Sequence, residues 1–358
     1  MEIDIEKALE RTDLQFIDVR SPHEYREASI PGSLNIPLFD DAEHSRLGLL
    51  YREEGEPAAR MAGLKIASAK LPALVEQITA TCGGKIPLLY CQRGGLRSLS
   101  LYQILHLCGF PALRLKNGYR GFRQYVVSQL KDYQLQSRFF VLHGLTGVGK
   151  TAVLKELEDE GVPVIDLEGL AGHRGSVFGA VGLPEQRSQK DFEALLLQAL
   201  EKHRKAGWIV VEGEGRRIGR VSLPHFLVKA MDEGYQALLT ASLEIRVRRI
   251  VDSYIPAKPP PELLTELKEA VSALRRRLGS KKVDLLTAEL EQKNFDRVAA
   301  SLCADYYDHF YSDSRPEYSR FDAQVDAEDI GTAARQIKAL LEKEEQSASC
   351  PGTGRALE

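Results

Sequence analysis

The run Gly144-Leu145-Thr146-Gly147-Val148-Gly149-Lys150-Thr151 fits the pattern G-x-x-x-x-G-K-[ST]. An apolar strand, Phe139 to His143, precedes it and an amphipathic stretch, Ala152 to Glu160, follows. That is the strand, loop, helix order a phosphate-binding loop needs. Glycines let successive backbone N–H groups turn toward one anion, Lys150 adds a point charge, and the Thr151 hydroxyl can hold Mg²⁺. The phosphate-contacting positions are then Gly144, Thr146, Gly147, Val148, Gly149, Lys150 and Thr151. A plain glycine turn would not require the strand and helix on either side. The surrounding chain is read as an α/β domain built on a parallel sheet.

This loop lies too far along the chain to belong to the only core. The chain has 358 residues, more than a single core usually organises. Before the loop, Leu14 to Val19, Ala69 to Ile78, Ile86 to Tyr90 and Leu99 to Leu107 repeat a strand and helix rhythm, with Pro31-Gly32 and Asn117-Gly118 as turns. The expected organisation is a first α/β domain at 1–128, a linker at 129–136, a second at 137–345 and a polar, disordered tail at 346–358. Glu262 to Leu278 and Val283 to Leu302 read as long helices near the end of the second domain. No apolar run approaches the roughly 18 residues that span a bilayer. The start lacks the basic and apolar stretch of a signal peptide, so no membrane partner and a cytoplasmic location are expected. A net charge of −3 leaves any nucleic-acid contact to local basic clusters.

Five cysteines, Cys82, Cys91, Cys108, Cys303 and Cys350, are widely spaced without a C-x-x-C pair, which argues against a disulfide framework and against a zinc site. Cys91 stands apart from the others. It ends the apolar run Ile86 to Tyr90, and Gln92-Arg93-Gly94-Gly95-Leu96-Arg97-Ser98 then opens a helical stretch. Two glycines allow the backbone to curl its amides inward, the helix presents its positive end, and Arg97 adds a guanidinium. Such a nest favours an anion, so Cys91 is the candidate nucleophile and Arg97 its partner. The bland alternative is a buried cysteine beside a glycine turn. Cys82, adjoining Gly83-Gly84, and Cys350, in the tail, read as exposed thiols, and Cys108 and Cys303 as members of apolar helices.

With those residues in view, the first domain resembles the rhodanese homology domains. Ile17-Asp18-Val19-Arg20-Ser21-Pro22-His23-Glu24-Tyr25 resembles their first signature, Ser29 to Pro37 their second, and Cys91 their sulfur-carrying position. Five residues separate Cys91 from Arg97, one more than in the common rhodanese loop. That wider nest is similar to the loop of cysteine-dependent phosphatases, so a phosphocysteine competes with a persulfide or selenide carrier.

In the second domain, Trp208 to Val211 is a strand ending in Glu212, followed by Gly213-Glu214-Gly215-Arg216. Val162 to Ile165 is a short strand leading into a polar loop with Asp166, His173, Arg174 and Ser176. Open α/β sheets bind ligands at the carboxyl ends of their strands, so these acids, with His173, Arg174, Ser176 and Arg216, are candidate substrate or metal contacts. This loop, the Glu-x-Glu-x-Arg run and Tyr306-Tyr307-Asp308 resemble the tRNA 2-selenouridine synthases, as does Cys91 to Ser98. Arg217, Arg246, Arg249, Arg275, Arg276 and Arg277 are candidate tRNA contacts, and a solvated helix face is the usual alternative. Tyr254, Phe310 and Tyr311 are aromatics able to stack on a base.

That resemblance implies replacement of sulfur by selenium at the wobble 2-thiouridine of tRNA. It further implies selenophosphate as donor, a geranylated thiouridine made from geranyl diphosphate as intermediate, no tightly bound cofactor, and a selenophosphate-producing enzyme as a partner. A P-loop kinase or NTPase with a regulatory rhodanese or phosphatase-like domain, and a non-catalytic sulfur-relay scaffold, are the rival readings.

Overall fold

The computed structural model describes residues 1–308 and 321–349. Among them the chain forms two compact units, Met1–Tyr133 with Arg187–Gln198, and Gln134–Gln186 with the chain from Ala199 onward. The division is not contiguous. Residues 187–198, which run into the helix Gln189–Lys202 and cover most of it, count with the first unit, which a single cut near residue 130 does not capture.

The first unit holds β1 (Glu2–Ile3), β2 (Leu14–Asp18), β3 (Leu34–Asn35), β4 (Ile86–Tyr90) and β5 (Leu113–Leu115), in the order β1-β5-β4-β2-β3 with every pair parallel. Ile17, Leu88, Leu89 and Tyr90 are fully buried, as expected for parallel strands covered on both faces. Between β3 and β4 runs a helical hairpin, Asp41–Glu53 and Glu56–Thr81. Asp40 and Glu43 start its first helix with a reciprocal capping box. The helix expected at Ala69 to Ile78 is thus the second half of a longer one, whose Ile78 and Val75 pack with Ile17, Leu89 and Leu101.

The second unit holds β6 (Arg138–His143), β7 (Val164–Ile165), β8 (Trp208–Glu212), the antiparallel pair β9 (Arg217–Ile218) and β10 (Val221–Ser222), then β11 (Tyr235–Thr240) and β12 (Ala323–Asp326). Its main sheet is parallel, ordered β12-β11-β6-β8-β7. The phosphate loop therefore leaves the central strand, and the pairing of Leu142 with Glu212 sets the end of β8 beside it. Val153, Leu154 and Leu157 of the helix Lys150–Asp159, with Ile337 and Leu341 of the helix Ile330–Ser349, close over Phe140, Val210 and Leu239. A separate helical core gathers Leu263, Leu267, Val271, Leu286, Leu290 and Leu302.

The two long helices expected there are broken. The first is split into Pro261–Ala273 and Arg275–Leu278, and the second into Ser280–Glu291 and Phe295–Leu302, after which Cys303–Tyr307 is a π-helical turn. Leu274, at φ −83° and ψ 0°, divides the first, and Lys293, at φ +61°, leaves the right-handed region within the second, which no helix interior tolerates. At the other end the helix Ile330–Ser349 continues four residues into the stretch read as a tail, with Ser347 donating to the Lys343 carbonyl at 2.9 Å. The remainder of that stretch, with Cys350, lies outside the described residues, as do Phe310 and Tyr311. No helix among the described residues is long and apolar enough to cross a membrane.

Candidate functional site

Cys91 follows β4 directly and is buried. Its Sγ accepts from the Gly95 amide at 3.2 Å and lies 3.3 Å from Ser98 Oγ. The loop thus curls around the sulfur as an anion nest does. The helix Gly118–Lys131 fixes the loop from behind, because Tyr119 N donates to the Cys91 carbonyl at 2.9 Å and Arg120 N to that of Gln92 at 3.0 Å. A Cβ on Gly118 would stand 2.0 Å from Cys91 O, so the close approach requires glycine there.

Arg97 is engaged by a carboxylate. Its guanidinium forms a two-pronged bond to Glu24, with Nη2 to Oε1 at 3.1 Å, and His44 Nε2 lies 3.6 Å from the same carboxylate. Burial pushes the Glu24 carboxyl up, but the Arg97 bond and charge outweigh it and hold the group below its ordinary range. Sequence reasoning placed Arg97 near the cysteine and missed the carboxylate that occupies it. It also passed over Arg20, a buried arginine bonded to Asp18, the Ala28 carbonyl and Gln92 Oε1, and stacked 4.1 Å over Tyr119. Arg20 ties the strand end, the cysteine loop and the bracing helix together. Cys82 is buried, and burial pushes its thiol up, so its exposed-thiol reading is corrected; among the described cysteines Cys108 is the exposed one, at a helix end.

In the second unit, Gly147 at φ +80° and Gly149 at φ +102° let the phosphate loop turn, and Lys150 Nζ lies 3.2 Å from the Gly144 carbonyl. Beside the loop, Asp166 caps a short helix through Gly169 N at 2.7 Å, and the Glu168 amide donates to Glu212 Oε1 at 2.6 Å. Glu212 is fully buried and its Oε2 has no hydrogen-bond partner. Burial first, and then the charge of Asp166, raises its carboxyl well above the ordinary value. Glu168 and Glu214 meet over Gly175, whose absent Cβ would lie 2.5 and 2.9 Å from their oxygens. Burial and then the Glu214 charge raise Glu168 to about 8, against the pull of Lys150. Glu168 belongs to the site and was not singled out from sequence; its spacing of two from Asp166 was the available signal. No three His, Cys, Asp or Glu side chains among the described residues are grouped to hold a metal.

The other residues picked from sequence are distributed differently. His173 Nδ1 accepts from Gly175 N, Arg174 donates to the carbonyls of Val181 and Ser253 and stacks on Tyr254, and Ser176 Oγ accepts from Phe178 N. His173 and Ser176 brace their own loop, while Arg174 ties that loop to the end of the helix Leu243–Tyr254. Arg246 is buried, donates to the Thr146 carbonyl at 2.9 Å and grips Asp308 with both Nη atoms, while Arg249 donates to the carbonyls of Val148 and Glu328. The tRNA assignment of Arg246 is corrected, since it is buried and held by the phosphate loop and Asp308, while Arg249, half-buried, bonds to the same loop. Arg216, Arg217, Arg275, Arg276 and Arg277 are exposed, Arg275 pairing with Asp284 and Arg277 with the Tyr306 hydroxyl. An apolar cavity of about 60 Å³, partly open to solvent, reaches the phosphate loop at Thr146. Phe178, Ile250, Tyr254, Leu302 and Tyr307 are among its walls.

Residues 137–339 match the family described as the tRNA 2-selenouridine synthase AAA domain, and residues 3–125 match the rhodanese-like domain. A tRNA 2-selenouridine synthase of Verminephrobacter eiseniae is 34% identical, covering 88% of this chain and 93% of its own. Those of Cupriavidus pinatubonensis and Pseudomonas syringae pv. syringae are 36% and 31% identical, covering 83% and 95% of this chain, and 87% and 98% of their own.

Proposed function

This chain belongs to the tRNA 2-selenouridine synthase family, and from that premise we propose that it is a transferase acting on the wobble 2-thiouridine of tRNA in two steps. In the first, the thiocarbonyl sulfur attacks C1 of geranyl diphosphate, a sulfur–carbon bond forms, and pyrophosphate leaves with the electron pair of the broken carbon–oxygen bond. In the second, selenium of selenophosphate attacks C2 of the base and geranylthiol departs. Water then splits selenium from phosphorus to give selenouridine and phosphate. Alkylation converts a poor leaving group into a good one.

The observation carrying this reading is the apolar cavity that meets the phosphate loop at Thr146. A ligand with a charged diphosphate and a hydrocarbon tail needs these two surfaces side by side. The loop amides, Gly144, Gly147, Gly149 and Lys150 would hold the diphosphate, and Mg²⁺, carried in with it, would sit on Thr151. The amide nest at Cys91 suits the anionic selenium donor. The reading needs no tightly bound cofactor, takes selenophosphate from the enzyme that makes it, and works in the cytoplasm where tRNA is modified. The test is nucleoside mass spectrometry of tRNA incubated with the protein, geranyl diphosphate and selenophosphate. S-geranyl-thiouridine followed by selenouridine is expected. Steady ATP turnover indifferent to tRNA, with neither nucleoside formed, would favour an NTPase instead.

A further inference from the structure

We propose that Arg246 is a positioning residue that presets the amide nest of the phosphate loop and joins that nest to the wall of the apolar cavity, with Arg249 supporting it one turn away. The inference rests on reading the loop as a phosphate cradle.

Both arginines lie on the helix Leu243–Tyr254, three residues apart, and so project from one face. They take alternate carbonyls of the loop: Arg246 Nε that of Thr146 at 2.9 Å, Arg249 Nη1 that of Val148 at 2.7 Å. In a planar trans peptide the C=O and the following N–H point in opposite directions. Drawing the Thr146 and Val148 carbonyls toward the helix therefore turns the Gly147 and Gly149 amides the other way, toward the loop interior. The loop packs closely on the helix and leaves no room for a side chain, since a Cβ on Gly147 would lie 2.7 Å from Arg246 O and one on Gly149 3.1 Å from Arg249 Nη1. The clamp holds the anion-facing geometry without touching the anion, and the Arg249 charge behind the loop adds to its field.

Arg246 has a second attachment. Its Nη1 and Nη2 bond to Asp308 at 3.0 and 2.6 Å, and its side chain is only 4% exposed. Asp308 directly follows the π-helical turn Cys303–Tyr307, whose Cys303 and Tyr307 line the cavity. Ile250 and Tyr254 of the arginine helix line it too. One guanidinium thus fastens the phosphate loop to the cavity wall, so the two parts of an amphiphilic ligand's site keep a fixed relation.

The test uses the full chain, with hydrogen exchange read by mass spectrometry on the loop peptide and inorganic pyrophosphate binding read by calorimetry. Arg246→Gln and Arg249→Gln should each speed loop exchange and weaken pyrophosphate roughly tenfold, the scale set by losing a charged hydrogen bond. Arg246→Lys should recover part of the pyrophosphate affinity by restoring one donor to Thr146 O, which a role in overall stability alone would not predict. Asp308→Asn should move both readouts the same way through Arg246. Where Arg246→Gln does not fold, Arg249→Gln decides. A folded variant whose loop exchange and pyrophosphate affinity stay within twofold of the parent overturns the positioning role, and an unaltered loop in Asp308→Asn overturns the link to the cavity wall. If the parent itself does not bind pyrophosphate, the phosphate reading fails, while faster loop exchange in the variants still supports the clamp.

Discussion

At Glu168 burial and the neighbouring Glu214 carboxylate act together, placing the carboxyl at about 8 where its ordinary value is 4.5. A carboxyl raised in this way binds its proton more tightly in the folded chain than in the unfolded one. Its contribution to stability is therefore whole below about pH 4.5, declines as pH rises, and is lost by about pH 8. Glu168→Gln, which keeps the hydrogen-bonding shape without the titration, should abolish that decline, worth at most on the order of 5 kcal/mol. Thermal melting from pH 4.5 to 9 checks it: parallel curves for the two proteins would show that Glu168 does not titrate in this window. At this scale the sequence was informative where chemistry depends on residue type and local pattern, as at Cys91 and Lys150. It was silent where a residue's partner is distant. Arg246 and Arg249 read as a basic helix face, and only burial shows that they bond to loop carbonyls about a hundred residues away. Arg97 read as the partner of Cys91 because nothing local announces Glu24, 73 residues earlier.

Among the elements, the helix Gly118–Lys131 does for the cysteine loop what the arginine helix does for the phosphate loop. Gly118, at φ +55°, admits the Cys91 carbonyl where a Cβ would lie 2.0 Å from it and 2.6 Å from Gly94 N, all backbone atoms that cannot rotate away. Gly118→Ala should cost roughly 3 kcal/mol or more, from backbone strain and overpacking together. Gly95→Ala, where a Cβ meets nothing within 4 Å, should be close to neutral. Urea unfolding of the two variants reads the difference, and equal midpoints would remove Gly118 from the account. The strands were legible because parallel strands buried on both faces are continuous apolar runs, and β4 begins and ends where its sequence does. The helices after residue 261 were not, because apolar periodicity continues across Leu274 and Lys293 while the regular helix does not. One product of that break is the single turn Arg275–Leu278, which displays three arginines at the surface. Reversing the charge of Arg275, Arg276 and Arg277 should weaken tRNA binding and flatten its dependence on salt, since each phosphate contact releases counterions. Binding measured from 50 to 200 mM salt checks this, and an unchanged slope would leave these arginines as a solvated face.

For the whole molecule the central expectation is a division of labour, because each unit carries one anion nest and the two nests differ in what else they offer. The phosphate loop adjoins an apolar cavity; the cysteine loop offers a sulfur and a hydroxyl 3.3 Å apart. The first joins its anion nest to an apolar surface, as a hydrocarbon diphosphate would need, and the second holds a thiol against a loop amide, as a selenium carrier would need. Lesions in the two should therefore fall at different steps. Lys150→Ala removes the charge that offsets the diphosphate oxygens, so it should lower alkylation of the thiouridine by about a hundredfold or more, and with it the selenium product that depends on alkylation. Cys91→Ala should leave alkylation standing. In that variant tRNA supplied with geranyl diphosphate should accumulate S-geranyl-thiouridine, and adding selenophosphate should not convert it. The order matters more than either loss alone, since a chain that merely unfolds would lose both products, whereas accumulation of the intermediate requires a working second unit. Nucleoside mass spectrometry on digested tRNA reads both products in one run. Selenouridine formed at the parent's rate by Cys91→Ala would free the cysteine of any part in selenium transfer, and alkylation undiminished in Lys150→Ala would mean that the phosphate loop serves a different ligand.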